Sequence, residues 1–469
     1  MRHNIIHWFL NTLVAAGMTL CAVSCGDDGS WSNLDPGTGQ HPDAEKPTEV
    51  TLRLKVSVLG DTPQTRAYPG VPDGSFEDPA TEYERLHTLR VIIVDSLGKV
   101  EHNRMVNLDK DGNVINDNLE FRISVPWIKE ENGKEHFGVA NKKIWLFGNE
   151  KAANPAVCDA MVSVKLTETG AALTQDQMDA YKNNGNMALD LLSVGTTFCG
   201  AYDNVNGWGS AEAQAQTALQ SAVLTREDGK PFIDNSAAES DMQYVPMNEF
   251  FDISITPDDL KKSEGGTIFR VTKDLFVTRS LVKFTFSAQF GDDYPSDKWD
   301  MKITEIKIDK LAKSSFLIPD KTKYDPGKYE VLTSQPEGRK IISFEVPTEA
   351  ADEGFIFLPK SFPVMKTPPA TTESENVYSA FMYFPETKVS DNFKVTVKTV
   401  VSEKNVEGPS ESFVHTYGPM PLQSPEKELP RNTHVYVNFT FNPGSIKCQV
   451  DVVPYTGVWL DPIFGVNRD

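Results

Sequence analysis

The sequence has few cysteines, and none of them stands at a spacing typical of metal ligands. There are five in 469 residues, Cys21, Cys25, Cys158, Cys199 and Cys448, and the first two lie in the N-terminal leader. The remaining three are too sparse for a disulfide framework. A Cys158–Cys199 bridge in an oxidising compartment is compatible with the sequence, but three small buried hydrophobic side chains are the favoured interpretation.

The chain also lacks the short motifs of catalysis and nucleotide binding. It contains no Walker loop, dinucleotide fingerprint, metalloprotease helix or nucleophile elbow, and its eight histidines are scattered. Acidic residues outnumber basic ones by 66 to 46, and the formal charge of −20 repels a phosphate backbone. We therefore expect no catalytic residue, no metal, no cofactor and no nucleic acid partner, and the sequence favours a protein that is not an enzyme.

The N-terminal leader carries the signals for export. An apolar run over 8–23 ends in the small residues Ala22 and Ser24, directly before Cys25. Because this run is short, it predicts a signal peptide over 1–24 and not a membrane span. The end of the run resembles a lipobox, so Cys25 is the predicted lipidation site, where two acyl chains would hold the protein at a membrane. Ordinary secretion with an incidental cysteine is the alternative.

The first predicted strand follows a flexible, Gly- and Pro-rich tether. Over nine positions, polar residues alternate with the apolar residues Val50, Leu52, Leu54, Val56 and Val58. A period of two predicts a strand with one buried face and one wet face. Burial of five aliphatic side chains would contribute roughly 7–15 kcal/mol, as an upper bound.

A loop rich in Gly and Pro comes next, over 59–74, with Arg66 and Ala67 in its middle. Exposed loops are the usual sites of proteolysis. A cut after Arg66 by a trypsin-like enzyme would release the lipid, the tether and the first strand together. The remaining body would hold an unpaired sheet edge, which recruits another strand. Taken alone, Arg66 is more simply one arginine in a loop.

Strand-like segments separated by turn residues recur through the rest of the chain. They predict an all-β fold with few short helices, built as two antiparallel β-sandwiches in tandem. A polar loop at 291–298 places the boundary between an N-terminal domain, 67–294, and a C-terminal domain, 295–469. The predicted strands are 89–94, 119–125, 143–147, 162–166, 281–290, 301–308, 341–346, 355–358, 381–384, 393–401, 435–441 and 446–453.

Two helices are predicted within the N-terminal half. Thr174 and Gln177 form a capping box before a helix over 176–183. An alanine-rich segment over 210–223 is typical of a surface helix.

Several short motifs follow one another along the chain. They are Arg66-Ala67-Tyr68 before the strand 89–94, Lys143–Asn149, Val245-Pro246-Met247, Thr278–Lys283, Lys310–Pro319, Phe381–Glu386, and Arg431–His434 before 446–455. In this order they resemble the fimbrillin family, the type V pilins of Bacteroidales-type bacteria. Asp27 and Asp28, just after Cys25, resemble the surface-export signals of lipoproteins from such bacteria. Residues 150–240 match none of the family's motifs.

The resemblance implies transthyretin-like sandwiches and a structural fimbrial subunit that supports adhesion. It implies that segment 25–66 is a lipidated propeptide whose strand is a placeholder, removed by an arginine-specific protease that cuts between Arg66 and Ala67. The C-terminal strand of another copy, or of a related pilin, would then fill the vacated groove and build a head-to-tail filament. The implied location is the cell surface, in a fimbrium, reached as an outer-membrane lipoprotein precursor.

The donor segment implied by the resemblance has a suitable residue pattern. Ile446, Cys448, Val450 and Val452 alternate with polar residues, and further apolar anchors follow at Val458, Leu460, Ile463 and Phe464. Prolines at 454 and 462 would break regular pairing, so two short donor strands are predicted in place of one long strand.

Two other functions are compatible with the sequence. A tip or anchor subunit of a fimbria would share the fold, and an anchor would keep its lipid and its first strand. A surface glycan-binding lipoprotein made of β-sandwiches would present aromatic side chains, for which Tyr202 and Trp208 in a Gly- and Asn-containing loop are candidates. Ordinary loop aromatics are the simpler interpretation of that pair. The sequence does not predict which host or bacterial ligand would be bound.

Overall fold

The described part of the chain is mostly β-sheet, which confirms the all-β prediction. The computed structural model describes residues 48–58, 82–108, 119–209, 214–227, 230–234, 243–262, 269–309, 311–318, 355–357, 362–364, 379–388, 393–404, 412–422, 428–429 and 431–454. The predicted strand 341–346 lies outside these residues. The finer prediction of two sandwiches in tandem stays a prediction.

The first half of the chain contributes one large sheet. Its strands are β1 (Thr48–Val58), β2 (Thr88–Val94), β3 (Val100–Asn107), β4 (Glu120–Val125), β5 (Trp127–Lys129), β6 (Glu135–Phe137), β7 (Ala140–Gly148), β8 (Tyr202–Asp203), β9 (Gly207–Trp208), β10 (Val223–Thr225), β11 (Ile233–Asp234), β12 (Met247–Ile255), β13 (Lys261–Lys262) and β14 (Phe269–Arg279). Eight of them form a sheet in the order β3-β2-β7-β12-β14-β1-β4, with β13 beside β14. Two short hairpins, β5 with β6 and β8 with β9, stand apart from this sheet.

The second half supplies the strands of two five-stranded sheets, except for β11, which comes from the first half. Its strands are β15 (Val282–Phe290), β16 (Trp299–Ile308), β17 (Ser314–Phe316), β18 (Phe355–Phe357), β19 (Phe362–Pro363), β20 (Ser379–Phe384), β21 (Thr387–Lys388), β22 (Phe393–Glu403), β23 (Ser412–Leu422), β24 (Glu428–Leu429), β25 (Thr433–Asn442) and β26 (Ser445–Pro454). One sheet has the order β11-β20-β15-β25-β26, and the other has the order β18-β16-β22-β23 with β19 beside β16. The pairs β10 with β17 and β21 with β24 complete the strands.

The chain changes sheets between β14 and β15. β14 belongs to the large N-terminal sheet, while β15 pairs with β20 and runs parallel to β25. This change precedes the predicted domain boundary at 294/295, and that boundary stays a prediction.

The helices lie between β7 and β10 and are short. They are α1 (Asn154–Ala160), α2 (Gln175–Asn183) and α3 (Ala215–Ser221), with 3₁₀ turns at Glu82–Glu84, Glu150–Ala152, Ala188–Leu191 and Pro257–Asp259. The capping box predicted before α2 is present, since Thr174 and Gln177 bond each other's backbone N–H groups. Among the described residues, none of the helices has the length and apolar character needed to span a membrane.

One sequence prediction in this helical segment is wrong, and another is confirmed in part. Segment 162–166 is not a strand: Val164 and Leu166 lie in an irregular stretch and are buried against the helices. The helix predicted to extend to residue 223 ends at Ser221, and Val223 begins β10. One face of this helix, with Ala215 and Leu219, is buried in the core, and its other face exposes Thr217 and Ser221, as expected of a surface helix.

The described residues form three hydrophobic cores. One face of the N-terminal sheet, with Leu52, Ile123 and Leu146, encloses what we call the first core. The second core lies between the two C-terminal sheets. The third core joins the other face of β2 and β7, through Ile92 and Trp145, to the helices and to parts of the C-terminal sheets. Because both faces of β2 are covered, its residues from Leu89 to Val94 are all buried, without alternation.

Residues of the family-like motifs fix the corners of these sheets. Asn149 adopts a left-handed conformation with φ 53°, and its side chain bonds four backbone groups. It accepts from His87 N at 2.8 Å and Thr88 N at 3.4 Å, and it donates to the carbonyls of Arg85 (2.7 Å) and Val245 (3.0 Å). Buried backbone groups need such partners. The Gly-Asn pair at the end of β7 is therefore a structural corner.

Buried ion pairs connect segments that are distant in sequence. Lys283 lies 2.6 Å from Glu84, and both side chains are 2% exposed. Arg431 pairs with Glu386 and also donates to the carbonyl of Leu317 at 2.9 Å. Removal of one partner would leave an unpaired buried charge, which is strongly destabilising. These motif residues therefore support the fold.

The three cysteines beyond the leader are free thiols, and no Cys158–Cys199 bridge forms. The prediction of small buried side chains is confirmed for Cys158 and Cys199, whereas Cys448 is only partly buried. Cys158 and Cys199 are buried in the third core. Burial raises the pKa of both thiols, and that of Cys199 reaches about 12.

We expect both buried thiols to resist a maleimide reagent in the folded protein at pH 8 and to react after unfolding in urea. The folded protein keeps the Cys199 proton to about pH 12, whereas the unfolded chain loses it near the ordinary value of 9.0. The free energy of unfolding should therefore fall as pH rises above 9, by up to about 1.4 kcal/mol per pH unit for each thiol. Urea titrations from pH 8 to 10.5 measure this slope, and Cys199→Ala should reduce it. An unchanged slope in that variant would contradict the assignment.

Candidate functional site

The first strand of the described chain occupies an internal position in the N-terminal sheet. β1 runs parallel to β14, where Thr51–Val58 pair with Arg270–Val277. On its other side it runs antiparallel to β4, pairing from Thr48 with Val125 to Arg53 with Glu120. An N-terminal segment thus bridges two strands, and we call the space that it fills between β14 and β4 the slot.

The five apolar residues predicted for β1 all point into the first core. Val50, Leu52, Leu54, Val56 and Val58 are each no more than 5% exposed. Fully burying such side chains stabilises a protein by about 1.5–3 kcal/mol each. Without β1, the slot would be an apolar groove flanked by unpaired backbone groups of β14 and β4.

The opposite face of β1 is polar and only weakly attached. Glu49 and Lys55 are exposed. Arg53 lies 3.7 Å from Glu120, and both side chains are about 30% exposed (30% and 28%). Ion pairs at such exposure contribute little. The attachment of β1 therefore rests on its buried aliphatic residues and its backbone pairing.

The outer side of β4 is joined to β3 by side chains in place of a strand ladder. Glu101 accepts from Ser124 N at 2.6 Å, and Arg104 donates to the Glu120 carbonyl at 3.4 Å. The Arg104 guanidinium also lies 4.3 Å from the centre of the Phe121 ring. Within the described residues, β1 is the sole ladder partner of β4. The edge strands β3 and β4 of the sheet thus contact each other through side chains, and β1 fills the position between β14 and β4.

The C-terminal strand β26, unlike β1, lies at the edge of a sheet and is less buried. β26 stands at the edge of its sheet, where its ladder in the described part of the chain is to β25 alone, from Phe441 with Ile446 to Thr433 with Pro454. Ile446, Cys448 and Val450 pack against the second core but are only partly buried. An edge strand held on one side by half-buried residues is easier to detach than β1.

The structure places only part of the predicted site. β1 and β26 are both strands, as predicted. The lipidation residue, the residues of the predicted cleavage site and the last anchors lie outside the described residues: Cys25, Arg66, Ala67, Val458, Leu460 and Phe464. Val452 belongs to β26, although its side chain is not among those described. The segment that joins β1 to Glu82 contains Arg66.

Sequence reasoning missed the wall of the slot. β14 was not predicted, although Phe269, Val271, Leu275 and Val277 follow a period of two. Lys273 interrupts that pattern, and the structure shows it 3.1 Å from Asp259. Because Lys273 occupies a position where the alternation requires an apolar residue, the period-two pattern of β14 was not recognised in the sequence.

The described residues offer no obvious place for a metal. No group of three or more His, Cys, Asp or Glu side chains in the described ranges is arranged to hold an ion. Within those ranges the most distinctive arrangement is therefore one of strands, with an internal first strand and a loosely held last strand.

Comparisons with known proteins find similarity among solved structures alone. No protein-family model matches the sequence, and no curated protein matches it. The tip fimbrial protein Mfa3 of Porphyromonas gingivalis, truncated at its C-terminus, matches with a TM-score of 0.37 at 9% identity, covering 87% of this chain and 100% of that one. A fimbrial assembly protein of Parabacteroides distasonis matches with a TM-score of 0.33 at 10% identity, covering 88% and 100%.

Both neighbours are fimbrial proteins, and both TM-scores lie below 0.5.

Proposed function

We propose that this chain is a structural subunit of a fimbria, exported as a lipoprotein on Cys25 and matured by a cut between Arg66 and Ala67. The loss of residues up to Arg66 removes β1 and opens the slot. The C-terminal segment of another copy, beginning at Ile446, then enters the slot and links the subunits head to tail. The protein has no catalytic role in this scheme.

The position of β1 is the observation that carries the proposal. It is the first strand among the described residues, it is internal in the sheet, and its inward face is fully buried. An arginine follows it in a Gly- and Pro-rich segment. Most connections between elements of a compact domain are short, so a strand used only to complete the fold would more simply be joined to the next element by a short turn.

The residue pattern of β26 supports its role as the donor. The slot takes an apolar side chain at every second position of β1, and β26 offers Ile446, Cys448, Val450 and Val452 with the same period. Strand addition of this kind gains its affinity from main-chain hydrogen bonds and its specificity from the alternate side chains. Because donor and slot are different parts of the chain, the link does not close on itself and forms a filament.

The test is cleavage and polymerisation of the Arg66→Ala variant. Wild-type protein treated with an arginine-specific protease should gain Ala67 as its N-terminus and form a ladder on SDS gels. Arg66→Ala should keep β1 and stay monomeric, because the slot remains filled. N-terminal sequencing and the gel give both readouts.

Arg53→Ala is the matched control, since Arg53 is an arginine held within β1. It should be cut and should polymerise like the wild type. Normal polymers from Arg66→Ala, or fimbriae on cells whose subunits still contain residues 48–58, would refute the proposal.

A further inference from the structure

A cleft beside the strands β7 and β12 has none of the slot strands among its lining and takes no part in the proposed assembly. It has a volume of about 470 Å³ and lies between the β8–β9 hairpin, α3 and the strands β7 and β12. Its walls carry two aromatic residues, Tyr202 and Trp208, and side-chain amides from Gln216, Gln220 and Asn141. Most of these residues belong to segment 150–240, which matches none of the family's motifs.

The aromatic hairpin is held rigidly. Gly200 and Gly209 lie opposite each other at the open end of the hairpin. A Cβ atom on Gly200 would lie 2.5 Å from the backbone of Gly209, so only glycine permits this close backbone contact. Tyr202 N donates to the Ser96 carbonyl at 2.8 Å, which ties the hairpin to the sheet. At its tip, the Asp203 carboxylate accepts from the backbone N–H groups of Val205 and Asn206, both at 2.8 Å, and these bonds lower the pKa of Asp203.

This rigidity sets the positions of two half-exposed rings. The Tyr202 and Trp208 rings lie edge to face, with centroids 5.4 Å apart. Phe250 lies in the floor of the cleft and stacks on Trp145 at 4.9 Å. Preorganised aromatic surface lowers the entropic cost of binding a ligand.

The charge in the cleft is internally balanced. Lys143 and Asp252 are its charged lining residues, and they pair with each other at 2.7 Å. The Lys143 ammonium also lies 5.0 Å from the centre of the Trp208 ring. The pair carries no net charge: Lys143 is buried, and the 52% exposed Asp252 carboxylate can still accept hydrogen bonds from a ligand. The cleft therefore fits a neutral, polar ligand.

The remaining polar groups suit a ligand with several hydroxyls. Gln216 and Gln220 stand one helical turn apart and so share a face of α3. The side-chain oxygen of Gln216 is buried and lacks a hydrogen-bond partner in the described structure. An unpartnered buried acceptor costs about 1–3 kcal/mol, which a donor hydroxyl would offset. Side-chain amides can donate and accept at once, as hydroxyl groups can.

From these features we propose that the cleft binds a neutral oligosaccharide. The apolar C–H face of a sugar ring would pack on Trp208 and Tyr202, and its hydroxyls would bond Gln216, Gln220 and Asn141. This proposal deepens the proposed function and rests on it for one point, that the protein is displayed at the cell surface as part of a fimbria. It names the chemical class of the adhesive ligand.

The test uses the purified full chain on an array of neutral oligosaccharides ending in galactose, glucose, mannose or N-acetylglucosamine. Sialylated and sulfated counterparts are printed beside them. The best neutral oligosaccharide is then titrated into each variant by isothermal titration calorimetry, which does not depend on Trp208 as a reporter. We expect binding by the wild type, at least tenfold weaker binding by Trp208→Ala, and a severalfold loss in Gln220→Ala.

Trp127→Ala is the matched control, because Trp127 is a half-buried tryptophan in the other short hairpin, β5–β6. It should bind as the wild type does. Continued protection of the Cys158 and Cys199 thiols shows that each variant is folded. Failure to bind any neutral oligosaccharide, binding confined to the charged ones, or equal binding by Trp208→Ala would each overturn the proposal.

Polymer formation, followed in the same samples, separates this proposal from the proposed function. Trp208→Ala should still form ladders after cleavage while losing sugar binding, which supports the cleft as an independent site. A wild-type protein that polymerises but binds no sugar overturns the cleft proposal and leaves the fimbrial one standing. Sugar binding by a protein that never polymerises supports the cleft and counts against the fimbrial proposal.

Discussion

Val450→Asp is expected to abolish polymers of the cleaved protein while the uncleaved monomer stays folded. In the monomer Val450 is only partly buried at a sheet edge, so a carboxylate there keeps access to water. In the slot, a donor residue would take a place like those of the β1 residues, which are at most 5% exposed. Burial of an unpaired carboxylate costs several kcal/mol, which is enough to prevent strand insertion.

The measurement is the SDS ladder after arginine-specific cleavage, with circular dichroism of the uncut protein to verify folding. Gln449→Asp adds the same charge one position earlier, on the face that alternation directs away from the core. It should polymerise like the wild type. A ladder from Val450→Asp of normal intensity would show that β26 is not the donor.

Leu54→Ala is expected to lower the free energy of unfolding of the uncut protein by about 2–5 kcal/mol. The Leu54 side chain is fully buried in the first core, so its truncation removes apolar contacts and leaves a cavity. Lys55→Ala, at the next and exposed position, should change stability by no more than about 0.5 kcal/mol. Urea unfolding of the uncut proteins provides the comparison.

The same variants give an internal check after cleavage. Once residues up to Arg66 are removed, position 54 is no longer part of the protein, so the cleaved forms of Leu54→Ala and the wild type should unfold identically. A stability difference that persists after cleavage would mean that β1 stays bound in the slot. That result would count against strand exchange.

Alternation along the chain was sufficient to predict the strands that bury one face. β1, β15 and β26 show clear period-two patterns and lie where the sequence indicates. The pattern failed where a polar residue points inward with a partner, as at Lys273 in β14. It also failed at Val164 and Leu166, which are buried without belonging to a strand. Burial was correctly anticipated there, but the backbone geometry was not.

Long-range pairing could not be obtained from the sequence. Nothing in residues 48–58 indicates that their neighbours would be β14 and β4, because backbone ladders carry no residue code beyond alternation. Only some of the residues that line the cleft could be predicted from the sequence, for a similar reason. Tyr202 and Trp208 were identified as a candidate pair, but Lys143 and Asp252 come from strands whose proximity depends on the tertiary fold.

The parallel pairing of β1 with β14 also has a consequence for the timing of folding. Leu52 lies beside Val271, so β1 cannot pair with β14 until a much later part of the polypeptide is present. Contacts between such distant segments form slowly. β1 should therefore dock late, onto a body that is already largely assembled. If the rest of the protein folds before β1 docks, the slot is open at that stage, and a donor strand from another copy could enter it in place of β1.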